Sequence, residues 1–299
     1  MSPDPSASPG RPRPATTVDD DAIAALLAEL GLPVRRLDFV AKASTSEVWR
    51  ADTACGPIAV RIAAPRPGKP ADFDAETALR RVLAAAGARV AAPMFDRRAR
   101  PDLAVADHRP AWVVDRWIDG ERADAATADA VWHELGVLLA MLHALPVRGH
   151  GRLRVEGDGV AGRLDDPGAA AADRFERPWP FDDLPLAGHP LAAAAPDLVP
   201  RLQRLEPAIR QAAAAPPAVV HGDLNGANVR HAGGALTGLI DFADATVLTP
   251  GWDFALLRHF QGGRIVDRVL AGYTRDPAVA DRIARDARLR LGLAEIEAG

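Results

Sequence analysis

The stretch Val219-Val220-His221-Gly222-Asp223-Leu224-Asn225-Gly226-Ala227-Asn228-Val229, followed by Gly238-Leu239-Ile240-Asp241-Phe242, decides how this chain is read. Four residues separate Asp223 from Asn228, and Asp241 comes thirteen residues after Asn228, beyond Gly233-Gly234 and a short apolar run. Gly-Gly between apolar runs is a hairpin signal. A loop and a hairpin therefore suffice to return Asp241 to the neighbourhood of Asp223 and Asn228. Two carboxylates and an amide are hard oxygen donors, and Mg²⁺ takes few protein oxygens beside those of a phosphate substrate. Each fragment alone reads as a polar turn or an edge strand. Their order and spacing together carry the meaning.

Working outward, 299 residues with 48% apolar and 25% charged side chains describe a globular chain of one large or two smaller domains. The net charge is −4, whereas a nucleic-acid binder shows a basic excess, so no nucleic-acid partner is expected. Basic charge rests on arginine, with lysine only at Lys42 and Lys69. The single Cys55 excludes an internal disulfide, as suits a reducing compartment, and reads as filler near a turn. No apolar run reaches the roughly 18 residues of a membrane span. Residues 1–17 lack the apolar core of a secretory signal and read as a disordered tail, which makes the cytoplasm the expected location and a membrane no partner.

Upstream of the deciding stretch, Ile23, Leu26, Leu27 and Leu30 recur at helical spacing before Gly31 and Pro33. Leu37–Val40, Glu47–Arg50 and Ile58–Ile62 read as three strands, with a turn at Gly56-Pro57. A helix is expected over Phe73–Ala86, then two short strands within Leu103–Ile118 around the turn 107–110. After Gly120 the pattern turns helical: Thr127 is placed to cap a helix with the stripe Val131, Leu135, Leu138, Leu139, Leu142 and Leu145. Residues 147–197 lack periodicity and read as a lid or substrate-side insertion with short helices. Helix resumes over 198–215 and from Trp252 onward. The domain reading is a lobe over 18–118 and a second over 119–299.

Phosphoryl transfer asks little covalent chemistry of a protein. It needs a carboxylate to orient and deprotonate the attacking hydroxyl, and oxygen ligands that hold Mg²⁺ on the phosphates. The kinase arrangement is an Asp, four residues, an Asn, and a further metal-binding Asp, which Asp223, Asn228 and Asp241 reproduce. With Pro250-Gly251-Trp252-Asp253-Phe254-Ala255, these motifs closely resemble the aminoglycoside phosphotransferase and choline kinase-like superfamily, over about residues 34–275. The resemblance implies an α+β, bilobal protein-kinase-like fold, with a small five-stranded antiparallel N-lobe and a larger, mainly helical C-lobe. It implies ATP, with GTP as an option, bound in a cleft with Mg²⁺. It makes Asp223 the catalytic base, Asn228 and Asp241 the metal ligands, and Asp253 a brace for the catalytic loop.

In the first lobe such an enzyme needs a cation on the phosphates and a helix carboxylate to fix it. Arg61 on the third strand and Glu76 on the following helix are the candidates. Arg61 stands where kinases carry Lys, and the exchange is not neutral, because guanidinium is planar and bulkier. The alternative is a strand-face charge and a solvated helix acid. The loop Lys42-Ala43-Ser44-Thr45-Ser46 is the candidate phosphate cover. It departs from the glycine-rich pattern, so Ser44, Thr45 and Ser46 would act through hydroxyls and backbone N–H groups, against the reading of a plain turn. Lys42 is the second candidate cation. Val114-Asp115-Arg116-Trp117-Ile118 is the expected hinge, which makes Asp115 and Trp117 nucleotide-side residues, while Trp112 and Trp117 also suit a core. Asp182 and Asp183, in an aromatic segment, would attract a cationic acceptor or serve only as solvated loop acids.

Gly68-Lys69-Pro70 is no P-loop, and His133-Glu134 lacks the second His of a zincin helix. His143 reads as a structural helical histidine. No Ala-Pro-Glu follows Asp241, which argues against a protein kinase. The expected activity is transfer of a γ-phosphate to a hydroxyl of an aminoglycoside-like antibiotic or of an amino/hydroxyl metabolite, by a monomer or homodimer. The alternative is a nucleotide-binding pseudokinase or regulatory module.

Overall fold

The computed structural model describes residues 16–42, 46–64, 73–106, 109–170, 188, 190–204, 207 and 216–298. The chain divides into two compact units, Met1–Asp72 with Met94–Asp115, and Phe73–Pro93 with Arg116–Gly299. Ser44, Thr45, Asp182 and Asp183 lie outside the described residues.

The first unit opens with helix α1 (Asp20–Glu29). The Asp19 carboxylate caps it by accepting the Ala22 N–H at 2.8 Å, and Asp20 and Asp21 put negative charge on the first turn, where the helix dipole favours it. Strands β1 (Val34–Lys42), β2 (Ser46–Thr53), β3 (Gly56–Ala63), β4 (Pro93–Asp96) and β5 (Trp112–Arg116) form one sheet in the order β1-β2-β3-β5-β4. The β1/β2 and β2/β3 pairs run antiparallel. Alternation along β2 and β3 sends Trp49, Ala51, Ile58, Val60 and Ile62 into a core shared with Ile23, Leu26 and Leu27 of α1. The Trp49 indole N–H donates to the Asp20 carboxylate at 2.8 Å and fastens the helix to the sheet.

The fourth strand lies earlier than the sequence pattern suggests. It occupies Pro93–Asp96, while Leu103 and Val105 are buried from irregular chain. The Asp96 carboxylate accepts the Ala99 N–H at 2.7 Å and its carbonyl accepts Arg100 N–H, so the chain folds back before Leu103. Burial alone imitates a strand in sequence.

In the second unit, α2 (Asp74–Ala85) buries Leu79 and Leu83 in the same core as α3 (Asp129–His143). Residues 73–93, counted with the first lobe in sequence, thus pack with 116–299. Strand β6 (Glu121–Arg122) precedes α3. Thr127 does not cap α3. The residue before the helix is Ala128, and the Thr127 hydroxyl accepts the Asp124 N–H at 2.9 Å, closing a turn instead.

The segment expected as a lid with short helices begins as an antiparallel hairpin of β7 (His150–Glu156) and β8 (Gly159–Leu164). Two short helices follow, α4 (Pro190–Ala194) and α5 (Leu198–Gln203). The hairpin joins β9 (Ala218–Val220) and β12 (Thr246–Leu248) in a sheet ordered β8-β7-β12-β9. Strands β10 (Val229–Ala232) and β11 (Ala235–Leu239), turning at Gly233-Gly234, make the expected hairpin, and β10 pairs with β6.

Helices α6 (Gly251–Gln261), α7 (Gly263–Tyr273) and α8 (Pro277–Ala298) complete the unit. α3 and α7 touch backbone to backbone. A Cβ on Gly136 would sit 2.0 Å from the Val269 carbonyl, and one on Gly272 1.9 Å from that of His133. Gly136→Ala is expected to force the helices apart and cost about 3 kcal/mol. Denaturant unfolding checks this, and a loss no larger than that of a surface substitution would refute the packing argument.

Candidate active site

β9 is buried along its length and delivers the chain to His221. The His221 ring donates from Nε2 to the Ile240 carbonyl at 2.9 Å, and its Nδ1 faces the Asp223 N–H at 3.4 Å. Gly222 follows with φ of 85°, and a Cβ there would lie 2.0 Å from the Asp244 carbonyl. Only glycine satisfies both demands. Leu224, fully buried, pins the next turn, and Asn225 caps the short 3₁₀ turn Gly226–Asn228 by accepting the Ala227 N–H at 2.9 Å.

The two asparagines grip Asp223 from both sides. Asn225 Nδ2 donates to Oδ1 at 3.0 Å, and Asn228 Nδ2 donates to Oδ2 at 3.1 Å and to the Asp223 carbonyl at 2.9 Å. Asp241 reaches the same place through the ladder: the Ile240 N–H donates to the Asn228 carbonyl at 3.0 Å, and the Ile240 carbonyl takes the His221 ring. Burial pushes the Asp223 carboxyl above its ordinary range. The His221 charge opposes this, the nearby Asp241 carboxylate adds to it, and the asparagine bonds pull it back in part. The three residues singled out in sequence therefore converge.

The same residues suit Mg²⁺ chemically. The Asn228 amide nitrogen is spent on Asp223, which leaves its Oδ1 for a ligand. Asp241 is exposed in the left-handed region with φ of 63°, and its carboxylate has no hydrogen-bond or ion-pair partner among the described residues. A strained, unpartnered carboxylate beside a free amide oxygen is a donor set for a hard cation.

Beneath the loop lies Asp253, wholly buried on α6. Its Oδ2 accepts the His221 N–H at 2.8 Å and its Oδ1 the Gly222 N–H at 3.0 Å, so one carboxylate holds both backbone donors that precede Asp223. His143 Nε2 lies 3.0 Å from the same Oδ2, and His143 Nδ1 faces the Tyr273 hydroxyl at 3.2 Å. Burial raises the Asp253 carboxyl, but the hydrogen bond and charge of His143 and the charge of His221 outweigh it, and the net shift is downward. Burial first, then the Asp253 charge, push the Tyr273 phenol up to about 12. Sequence reading set His143 aside. The signal was its phase: it falls in step with Leu135 and Leu139 on the buried face of α3.

Ser46 is buried at the head of β2. Lys42 is paired with the fully buried Glu47 at 2.9 Å, which also accepts the Thr17 N–H, so its charge is already matched. Arg61 lies half-buried on β3, opposite Val48. Glu76, in the first turn of α2, lies 3.5 Å from Arg80, which sequence reading missed and which also donates to the Ala91 carbonyl at 2.7 Å. Asp115 is buried near the end of β5, the Arg116 N–H goes to the Ala92 carbonyl at 2.9 Å, and Trp117 is half-buried. Trp112 belongs to the core of the first unit.

A family model described as "Phosphotransferase enzyme family" matches residues 35–283. No curated protein matches the chain in sequence. Among solved structures, the macrolide 2'-phosphotransferase MphH from Brachybacterium faecium is similar at TM-score 0.60 and 17% identity, covering 92% of this chain and 90% of its own. Aminoglycoside phosphotransferase APH(4)-Ia, as a thermostable mutant with AMP-PNP and hygromycin B, gives 0.62 and 18%, covering 91% and 88%. APH(2")-IIia with GDP and kanamycin gives 0.58 and 15%, covering 92% and 89%. At these identities the likeness establishes the fold, which is the α+β kinase-like one.

Proposed function

Because the chain belongs to the phosphotransferase enzyme family and is an ATP-dependent phosphotransferase acting on hydroxyl groups, we propose that its acceptor is a small hydroxylated antibiotic of the aminoglycoside kind, with Asp223 as the base. The observation that carries the roles is the grip of Asn228 and Asn225 on the Asp223 carboxylate with Asp241 beside it. Asp223 accepts a hydrogen bond from the acceptor hydroxyl, aligns its oxygen for in-line attack on the γ-phosphorus, and takes its proton as the new P–O bond forms and the bond from the γ-phosphorus to the bridging oxygen breaks, releasing the nucleoside diphosphate. Asn228 Oδ1 and Asp241 would hold Mg²⁺, which would supply neutralisation of phosphate charge. Arg61, Glu76 and Ser46 serve the nucleotide phosphates, and Asp115 and Trp117 its base. A pseudokinase would not need the complete set of Asp223, Asn228 and Asp241.

The acceptor reading draws on the neighbours, which include complexes with hygromycin B and kanamycin and a macrolide phosphotransferase. The test is incubation with Mg²⁺ and ATP or GTP against kanamycin, hygromycin B and a macrolide, with mass spectrometry of the products. Gain of one phosphoryl group on an aminoglycoside is expected. Gain on none, with nucleotide turnover equal to that of Asp223→Asn, would end the reading.

Asp241→Asn gives a second check. It removes a metal ligand charge, so half-saturation by Mg²⁺ is expected to rise at least about tenfold. It also removes a charge that raises the Asp223 carboxyl, so the acid limb of the pH–rate profile moves to lower pH. An unmoved limb would refute the pairing of the two carboxylates.

A further inference from the structure

Apart from the Asp223 centre, the second unit holds a cavity of about 430 Å³. It lies at the far end of β9 from the catalytic loop: Ala218 lines it, whereas Val220 leads into His221. Pro216, Pro217, Val279, Ile283 and Leu289 give it an apolar wall, and the polar pair His143 and Tyr273 lies against it. Its size and its few placed polar groups are those of a small-molecule site.

Charge specifies the occupant. Arg282 and Arg285 line the cavity and are solvent-exposed, with no hydrogen-bond or ion-pair partner among the described residues. Asp286 also lines it, but its carboxylate is engaged by the Thr249 hydroxyl and by Arg290 Nε at 2.8 Å. Arg290, 2% exposed, keeps an unpartnered Nη2 behind that wall. The balance of charge around the cavity is positive.

We propose that this cavity is an effector site for a small anion with an apolar body, an aromatic or alicyclic carboxylate, and that its occupation reaches the catalytic loop through Tyr273, His143 and Asp253. The ligand's apolar body lies against Ile283 and Leu289, and its carboxylate meets Arg282, Arg285 and the Tyr273 hydroxyl. A ligand shifts a protein only by favouring one of two arrangements. Here the two are the Tyr273 hydroxyl on His143 Nδ1 and the same hydroxyl on the ligand. In the second, His143 is held less firmly against Asp253, which holds the N–H groups of His221 and Gly222.

The probe is 2-naphthoate, with the neutral isostere 2-naphthalenemethanol as control, measured by calorimetry and by hydrogen exchange of the amides over 218–229. The full chain is expected to bind naphthoate saturably with Kd below about 1 mM. Val279→Trp, which fills the cavity, is expected to weaken it at least about tenfold. The Arg282→Ala/Arg285→Ala double variant is expected to weaken naphthoate about fivefold or more and leave the alcohol unchanged. Exchange at His221 and Gly222 is expected to quicken at saturation. Tyr273→Phe should keep binding and lose that response, which covers the case that the Trp variant fails to fold. No saturable binding, undiminished binding in a folded Val279→Trp, or equal loss of acid and alcohol in the Arg variant overturns the site. Unchanged exchange at saturation overturns the effector role. None of these readouts requires phosphotransfer, so the outcome is independent of the acceptor assigned above.

Discussion

Asp223→Asn is expected to lower the turnover of a phosphorylated acceptor by on the order of 10³-fold, while changing stability little, because two effects on folding oppose each other. Asp223 is held by Asn225 and Asn228 where burial, together with the Asp241 charge, opposes its ionisation. A carboxyl whose folded pKa is raised is more readily protonated folded than unfolded. At neutral pH its charge therefore works against folding, a cost that disappears as pH falls below the unfolded value. Asparagine removes that cost together with the proposed base, but its amide nitrogen sets a donor against the Nδ2 of Asn225 or Asn228. Thermal unfolding beside turnover checks both expectations. A variant that loses activity only because it loses stability would refute the role. In the unmodified protein, the acid limb of the pH–rate profile is expected above the ordinary carboxylate range, since Asp223, as the proposed base, must be ionised to accept the hydroxyl proton.

Asp253→Ala is expected to be the most damaging change to stability, about 3–5 kcal/mol, against a typical total of about 5–15. The buried N–H groups of His221 and Gly222 and the ring of His143 would all lose their acceptor at once. Asparagine does not rescue it, because its amide nitrogen would set a donor against a backbone donor. The Asp253 carboxyl is lowered in the folded state, so its contribution is present above the unfolded value near the ordinary Asp range and is lost as pH falls through the lower folded one. Urea titrations across the acid range, for the unmodified protein and the variant, should therefore converge as pH falls. Parallel curves would show that Asp253 is not the ionised anchor. Because the loop carries Asp223, activity should fall along with stability.

Local signals carried much of the site and fold. Asp223, Asn228 and Asp241 were legible because the chemistry dictates residue type and a single loop and hairpin dictate spacing, both within twenty residues of chain. The strands β1, β2 and β3 and the α3 stripe were legible because burial of one face imposes a period of two or of 3.6. Thr127 and Leu103–Val105 misled because a hydroxyl near a helix start and an apolar pair have more than one local use, and the backbone's partners choose among them. The pairing of α2 with the helical unit, the hairpin at 150–164 within the β9 sheet, and the Tyr273–His143–Asp253 chain were settled only in three dimensions. The Tyr273–His143 and His143–Asp253 contacts join residues more than a hundred positions apart, through helices that approach closely only because Gly136 and Gly272 carry no side chain. The amino-acid order states what chemistry is present at Asp223. Long-range packing decides what holds it still, because a buried hydrogen-bond partner is selected by proximity in space, for which sequence separation is no guide.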